Sequence, residues 1–165
     1  MRILGIDPGL EITGYGVLEE RFEQLSVIEA GVIRTSPKNP LADRLYSINV
    51  QITELIEQTR PQVCVIEQLY SHYKHPMTAI LMGHARGAVL LSCSQKNVTV
   101  KGYPAKTIKR AITGNGNASK LQVQRVVNRI LSLDDIQRPL DVTDALAICI
   151  THLRHTEKDV EIAKR

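Results

Sequence analysis

Apolar stretches broken by short polar segments fill the first third of the chain, and they predict three strands. The first is expected over Arg2–Asp7, where apolar residues are nearly continuous. Two more are expected over Thr13–Glu19 and Leu25–Thr35, with polar residues between them. The pattern is typical of an antiparallel meander.

The rest of the chain predicts helices that alternate with two more strands. Apolar stretches predict a buried strand over Gln62–Glu67 and a short strand over Val98–Tyr103. Apolar residues at helical spacing predict five helices, which begin near Pro40, Pro76, Pro104, Ser119 and Asp141. This order of elements predicts an α/β fold, a mixed five-stranded sheet with helices on both faces.

Three segments carry more specific expectations. The helix that runs from Pro76 toward Gln95 is rich in Ala, Leu and Gly, so we expect it to be well buried. The tail after His155 is charged, which predicts a frayed end. The helix after Ser119 is expected to turn inward Leu121, Val123, Val126, Val127, Ile130 and Leu131.

Length and composition favour one globular domain in the cytoplasm. The chain has 165 residues, of which 43% are hydrophobic and 23% are charged. No apolar segment approaches the ~20 residues of a membrane span, and the N-terminus lacks the pattern of a signal peptide. The three cysteines lie in apolar segments, which predicts reduced thiols. We therefore expect no membrane partner.

The net charge of +4 is concentrated in one segment. Residues 101–138 hold eight Lys or Arg and two acids, a net charge of +6. A basic segment in a chain that also has grouped acids fits a nucleic-acid enzyme, since Lys and Arg side chains bind phosphates and acids can bind a metal ion. A solvated helix face is the alternative that net charge leaves open.

Two carboxylates lie at the ends of predicted buried strands. Asp7 follows Arg2–Ile6 and precedes Pro8-Gly9, and Glu67 follows Val63–Ile66. Sites in mixed sheets lie at the carboxyl ends of strands. An acid before Pro-Gly is also common in ordinary turns, so Asp7 alone is weak support for a site. Glu67 has fewer structural reasons to end an apolar strand and favours a functional role.

Two further acids, Asp141 and Asp144, open the last predicted helix. Their i,i+3 spacing places them on one helix face. Acids in a first turn commonly cap N–H groups, and this explanation stays open for the pair. Buried carboxylates that converge require a cation, and hard oxygen ligands suit Mg²⁺ or Mn²⁺.

The basic segment also contains a glycine-rich loop between two lysines. Lys109 and Lys120 flank the loop that holds Gly114 and Gly116. Glycines allow backbone N–H groups to approach DNA phosphates, and the lysines could lie over a phosphodiester or simply be solvated. Tyr70 follows Glu67 closely, so it could stack on a base or pack on the neighbouring helix.

Five motifs in this order resemble the RuvC family of Holliday-junction resolvases, which have the ribonuclease-H-like fold. They are GIDPGLEITGYG (Gly5–Gly16), VIEQLY (Val65–Tyr70), GHARGA (Gly83–Ala88), TIKRAITGNGNASKLQVQ (Thr107–Gln122) and DVTDALAICITH (Asp141–His152). The resemblance covers nearly the whole chain. It implies one nuclease domain over residues 1–157 and a charged tail over 158–165.

The resemblance also implies roles for particular residues. The catalytic, metal-binding acids would be Asp7, Glu67, Asp141 and Asp144. They would hold two Mg²⁺ ions roughly 3.5–4 Å apart, with Asp7 as the bridge and Mn²⁺ as a substitute. Lys109 and Lys120 would act at the active site. The DNA contacts would come from Tyr70, Lys109, Arg110, Gly114, Gly116 and Lys120.

Function and partners follow from the same resemblance. It implies a homodimer that resolves four-way DNA junctions by paired nicks in recombination and repair, leaving 5′-phosphate and 3′-hydroxyl ends, beside a branch-migration helicase. The family often has a Lys-Asn pair after the aromatic residue, where this chain has Lys74-His75-Pro76. A nuclease of the same fold that cuts RNA or single strands, and a junction-binding protein that does not cut, are the alternatives. An actin-like ATPase would need about twice this length.

Overall fold

The computed structural model describes residues 1–22, 24–69, 76–133 and 139–163, with side chains described up to residue 156 in the last segment. These ranges form five strands and five helices. The strands are β1 (Arg2–Asp7), β2 (Ile12–Arg21), β3 (Gln24–Arg34), β4 (Val63–Glu67) and β5 (Thr99–Tyr103). The helices are α1 (Leu41–Thr59), α2 (Pro76–Gln95), α3 (Ala105–Thr113), α4 (Lys120–Ile130) and α5 (Leu140–Ala163).

The strands form one mixed sheet in the order β3-β2-β1-β4-β5. The first three strands are antiparallel, as the meander pattern predicts, and β4 and β5 run parallel to β1. The predicted mixed five-stranded sheet is confirmed. Because β1, β4 and β5 are parallel, their carboxyl ends meet at one edge of the sheet.

Each face of the sheet has its own apolar core. Side chains alternate along β1, so Ile3 points to one core, and Leu4 and Ile6 point to the other. Helices α3, α4 and α5 cover the Ile3 face, and α1 and α2 cover the opposite face. The prediction of helices on both faces is therefore confirmed.

The helices differ from the sequence predictions in two places. Helix α2 is not well buried: Met77, Ile80 and Leu91 are 65%, 53% and 53% exposed. Leu121 is 59% exposed rather than inward, because it lies two residues, or about 200° around the helix, from the buried Val123. Helix α5 extends to Ala163, and the frayed end expected after His155 stays a prediction.

Candidate active site

A cleft opens at the carboxyl edge of the sheet. Its volume is about 640 Å³, and its walls come from the loop after β1, from α2, from α3 and α4, and from the first turns of α5. Six of the side chains that the sequence singled out line this cleft: Asp7, Glu67, Lys109, Lys120, Asp141 and Asp144. The fold brings together residues that are up to 137 positions apart in the chain.

Asp7 and Glu67 lie side by side because they end neighbouring parallel strands. Ile6 pairs with Ile66, so the next residue of each strand is an acid. The backbone N–H of Gln68 donates to the carbonyl oxygen of Tyr103 at 2.9 Å, which ties the end of β4 to β5. The buried sheet therefore sets the positions of both carboxylates.

Helix α5 brings Asp141 and Asp144 to the same cleft because it packs directly on the backbone of β1 and β2. A Cβ atom added at Gly14 would lie 2.1 Å from the carbonyl oxygen of Asp141. One added at Gly5 would lie 2.2 Å from the carbonyl oxygen of Ala145. Any larger residue at either position would push the helix away, so these glycines set the distance between the two pairs of acids.

Burial and neighbouring negative charges raise the pKa of two of the acids, Asp7 and Glu67. Burial raises the pKa of Asp7 to about 7, and the nearby charges of Asp144, Glu67 and Asp141 add to the effect, while Lys120 opposes it. Burial and the charge of Asp144 also raise the pKa of Glu67. The cleft is thus a region of negative potential that favours a cation.

Two lysines partly offset this negative charge. The Nζ atom of Lys120 donates to Oδ2 of Asp144 at 2.7 Å, and the Lys120 side chain stays 62% exposed. Burial opposes the charged form of Lys120, but this bond and the charges of the acids raise its pKa overall. Lys109 lies on α3, where its charge lowers the pKa of Glu67. Both ammonium groups therefore act on the acids.

The donor chemistry of the cleft fits a hard divalent cation. Four carboxylates could supply oxygen ligands, and the raised pKa of Asp7 reflects an unfavourable negative charge that a cation would neutralise. Among the described residues, no three carboxylate, imidazole or thiolate groups are grouped tightly enough to hold a metal ion.

The α3–α4 connection lies between the two lysines in the chain, and local hydrogen bonds fix both of its ends. Gly114 ends α3 in the left-handed conformation with φ of 79°, which glycine adopts without strain. Ser119 begins α4 with a capping box: its hydroxyl accepts from the N–H of Gln122, whose side chain accepts from the N–H of Ser119. Arg110 and Gly114 are exposed, as a DNA-contacting surface requires.

Some of the predicted residues lie outside the described ranges, and some residues that shape the site were not predicted. Tyr70 and the Lys74-His75 departure lie outside the described residues. Sequence reasoning missed the part of Gly14 and Gly16, to which it assigned no role. The signal was present, since two glycines at i,i+2 face the same side of one strand and indicate close approach of another backbone.

A mixed sheet of this topology, with acids at the ends of its first and fourth strands and on its last helix, defines a nuclease of the ribonuclease-H-like class. The model of the family described as crossover junction endodeoxyribonuclease RuvC matches residues 3–152. The RuvC protein of Rhodopirellula baltica is 43% identical over 148 residues, which are 90% of this chain and 83% of that protein. The RuvC protein of Pelotomaculum thermopropionicum is 39% identical and covers 94% of both chains.

A solved structure agrees with these sequence matches. The structure of Thermus thermophilus RuvC in complex with a Holliday junction substrate is similar with a TM-score of 0.90 and 32% identity, over 96% of each chain. The chain therefore belongs to the RuvC family of crossover junction endodeoxyribonucleases. Membership points to a divalent metal cofactor. None of the helices in the described ranges is long and apolar enough to cross a membrane.

Proposed function

We propose that this protein resolves four-way DNA junctions by paired, symmetric nicks that leave 5′-phosphate and 3′-hydroxyl ends. The observation that carries the proposal is the cleft in which four acids and two lysines meet. The RuvC structure that this chain resembles over 96% of its length is bound to a Holliday junction. The proposed nuclease domain spans residues 1–157.

The acids would hold two Mg²⁺ ions, with Mn²⁺ as a substitute. When bound, the ions would lower the pKa of the attacking water and offset charge on the leaving 3′ oxygen. Asp7 would help to hold them, and the effect of all three other acids on its pKa supports a shared site. Glu67 and Asp144 would complete the ligand set, and Asp141 would either ligate or orient the water.

Lys120 is proposed to act on the scissile phosphate. Its ammonium group already lies at the acids, 2.7 Å from Asp144, and its side chain is exposed enough to reach DNA. A cation fixed at this point stabilises the extra negative charge of the pentacovalent phosphate in the transition state. Lys109 supports the same region from α3, and Arg110, Gly114 and Gly116 contact the backbone of a junction arm.

Two nicks at symmetric positions require two active sites, and we propose a homodimer. The exposed face of α2 supports it. Its exposed positions alternate at spacings of three and four residues, which gives one stripe: Met77, Ile80, His84, Gly87 and Leu91. Gly87 lies near the middle of the stripe, and a Cβ atom there would meet nothing within 4 Å. Two copies of α2 could thus cross closely.

The cellular setting belongs to the same proposal. Family membership supports a cytoplasmic location and cooperation with a branch-migration helicase.

The proposed function is tested by incubating the protein with a synthetic four-way junction, a matched linear duplex, a single strand and an RNA–DNA hybrid, each with Mg²⁺ or EDTA. We expect paired, ligatable nicks in the junction with Mg²⁺ alone. Preferred cutting of the hybrid or single strand would contradict the proposal.

A further inference from the structure

The loop that follows Asp7 is fixed by three hydrogen bonds to consecutive carbonyl oxygens of Gly9–Glu11. The hydroxyl of Thr13 donates to the first carbonyl at 2.7 Å. The hydroxyl of Thr35 donates to the second, and the backbone N–H of Thr35 donates to the third at 3.0 Å. Thr35 alone therefore holds two of the three groups.

A buried arginine lies behind Thr35. Arg44 is only 9% exposed, and its Nε atom donates to the hydroxyl oxygen of Thr35 at 2.8 Å. No acid of the described residues forms an ion pair with Arg44, and its Nη2 atom has no hydrogen-bond partner there. A buried charge without an acid partner costs folding free energy.

The bond from Arg44 has a directional consequence. The hydroxyl oxygen of Thr35 accepts from Nε, so its own hydrogen is directed to the carbonyl of Leu10. The charges that shift the pKa of Asp7 are those of Asp144, Glu67, Lys120 and Asp141, and Arg44 is not among them. The hydrogen bond to Thr35 is the contact through which Arg44 reaches the loop.

The fixed loop is part of the cleft itself. Residues 8–12 line the cavity, directly after Asp7 in the chain. The turn is tight, since a Cβ atom at Gly9 would lie 2.3 Å from the carbonyl oxygen of Ile12. A displacement of this loop is transmitted to Asp7 because β1 ends there.

We propose that Thr35 and Arg44 are positioning residues for cleavage: together they clamp the Gly9–Glu11 loop and thereby hold Asp7 in its reactive place. The inference rests on the proposed nuclease function. It assigns a part in the reaction to two side chains that sequence reasoning did not single out.

The test replaces one hydroxyl at a time. Thr35→Val removes the donor and keeps the shape, Thr35→Ser restores it, and Thr59→Val is the control. The hydroxyl of Thr59 donates to the carbonyl oxygen of Leu55 within α1, and the carbonyl oxygen of Thr59 accepts from Arg2 at the opposite edge of the sheet.

We expect Thr35→Val to lower the single-turnover cleavage rate at saturating junction about tenfold or more. Junction affinity in Ca²⁺, and the rates of Thr35→Ser and Thr59→Val, should stay within about twofold.

Two measurements separate positioning from lost stability. If Arg44 acts through Thr35, the double variant Thr35→Val/Arg44→Met should lose no more rate than the worse single variant. Amide exchange of residues 9–12, measured without DNA, should accelerate in Thr35→Val and not in Thr59→Val. Unchanged exchange, or equal rates for Thr35→Val and Thr59→Val, would overturn the clamp. Failure of wild type to cut junctions would overturn the nuclease proposal instead, and the exchange contrast would still decide the clamp.

Discussion

Asp7 is the residue whose surroundings differ most from those of a surface acid. It is half-buried at the end of β1, and three other acids interact with it. When it is ionised, such a carboxylate destabilises the fold. For the same reason it would be a favourable ligand for a cation. The arrangement is consistent with function being favoured over stability at this position.

This cost gives a prediction with a definite sign. In metal-free protein the pKa of Asp7 is raised from 3.8 to about 7, so the folded state binds the proton more tightly than the unfolded state. Stability from this group is present below about pH 4 and is lost as the pH rises to about 7. Asp7→Asn should therefore raise the free energy of unfolding at pH 8, by at most about 4 kcal/mol, and much less at pH 5.

Urea unfolding in EDTA at the two pH values measures the effect. Equal changes at pH 5 and pH 8 would show that Asp7 is not destabilised by ionisation in the folded state.

A second prediction at this scale separates the two kinds of basic residue. Lys120→Ala should lower the single-turnover cleavage rate by about a hundredfold, because Lys120 is proposed to stabilise charge that develops in the transition state. Arg110→Ala, on the exposed part of the same basic segment, should weaken junction binding and reduce its salt dependence with little change in rate. If Lys120→Ala instead changes only affinity and its salt slope, Lys120 is an ordinary phosphate contact.

At the scale of elements, the site depends on how closely α5 approaches the sheet. Gly5 and Gly14 leave no room for a side chain between the strands and the helix. The helix carries Asp141 and Asp144, whereas the sheet carries Asp7 and Glu67, so this contact decides whether the four acids share one cleft.

Gly14→Ala should therefore reduce cleavage much more than it reduces binding. The added Cβ atom would lie 2.1 Å from a backbone oxygen, which forces the first turn of α5 to move and should cost about 1–3 kcal/mol of stability. Gly83→Ala is the control, since a Cβ atom there would meet only Leu69, at 3.8 Å. Cleavage assays below the melting temperature of both variants make the comparison. Wild-type cleavage by Gly14→Ala would show that the site tolerates a displaced helix.

The same scale shows what the sequence could and could not predict. Strand ends identify Asp7 and Glu67, because an acid after a buried apolar stretch is visible in the local pattern. The exposure of α2 was missed, since a composition of Ala, Leu and Gly does not distinguish a core helix from one with an open apolar stripe. Thr35 and Arg44 were missed because their bonds join segments that only the tertiary fold brings together.

At the scale of the whole molecule, the proposed dimer would bring together the two active sites that paired cutting requires. Cleft and stripe both involve α2: its first half lines the cleft through Thr78, Leu81 and Met82. The exposed stripe lies on the same helix, so a dimer formed there would support one wall of each cleft.

The dimer makes a prediction of its own. Leu91→Glu places a charge on the stripe, where Leu91 is 53% exposed, and should weaken dimerisation about tenfold or more without unfolding the monomer. Ile28→Glu, at a 43% exposed position on the edge strand β3, is the control that should remain dimeric. Sedimentation velocity at several concentrations measures both. Identical behaviour of the two variants would place the interface elsewhere.

The central claim is that the acids of this cleft cut four-way junctions, and Glu67→Gln against Glu54→Gln tests it most directly. Glu54 is exposed on α1, away from the cleft. With a labelled junction under single-turnover conditions in Mg²⁺, Glu67→Gln should cut about a hundredfold more slowly or worse, since it loses a carboxylate that we propose as a metal ligand. It should still bind the junction in Ca²⁺, and Glu54→Gln should match wild type in both assays. Near-normal cleavage by Glu67→Gln would contradict the account.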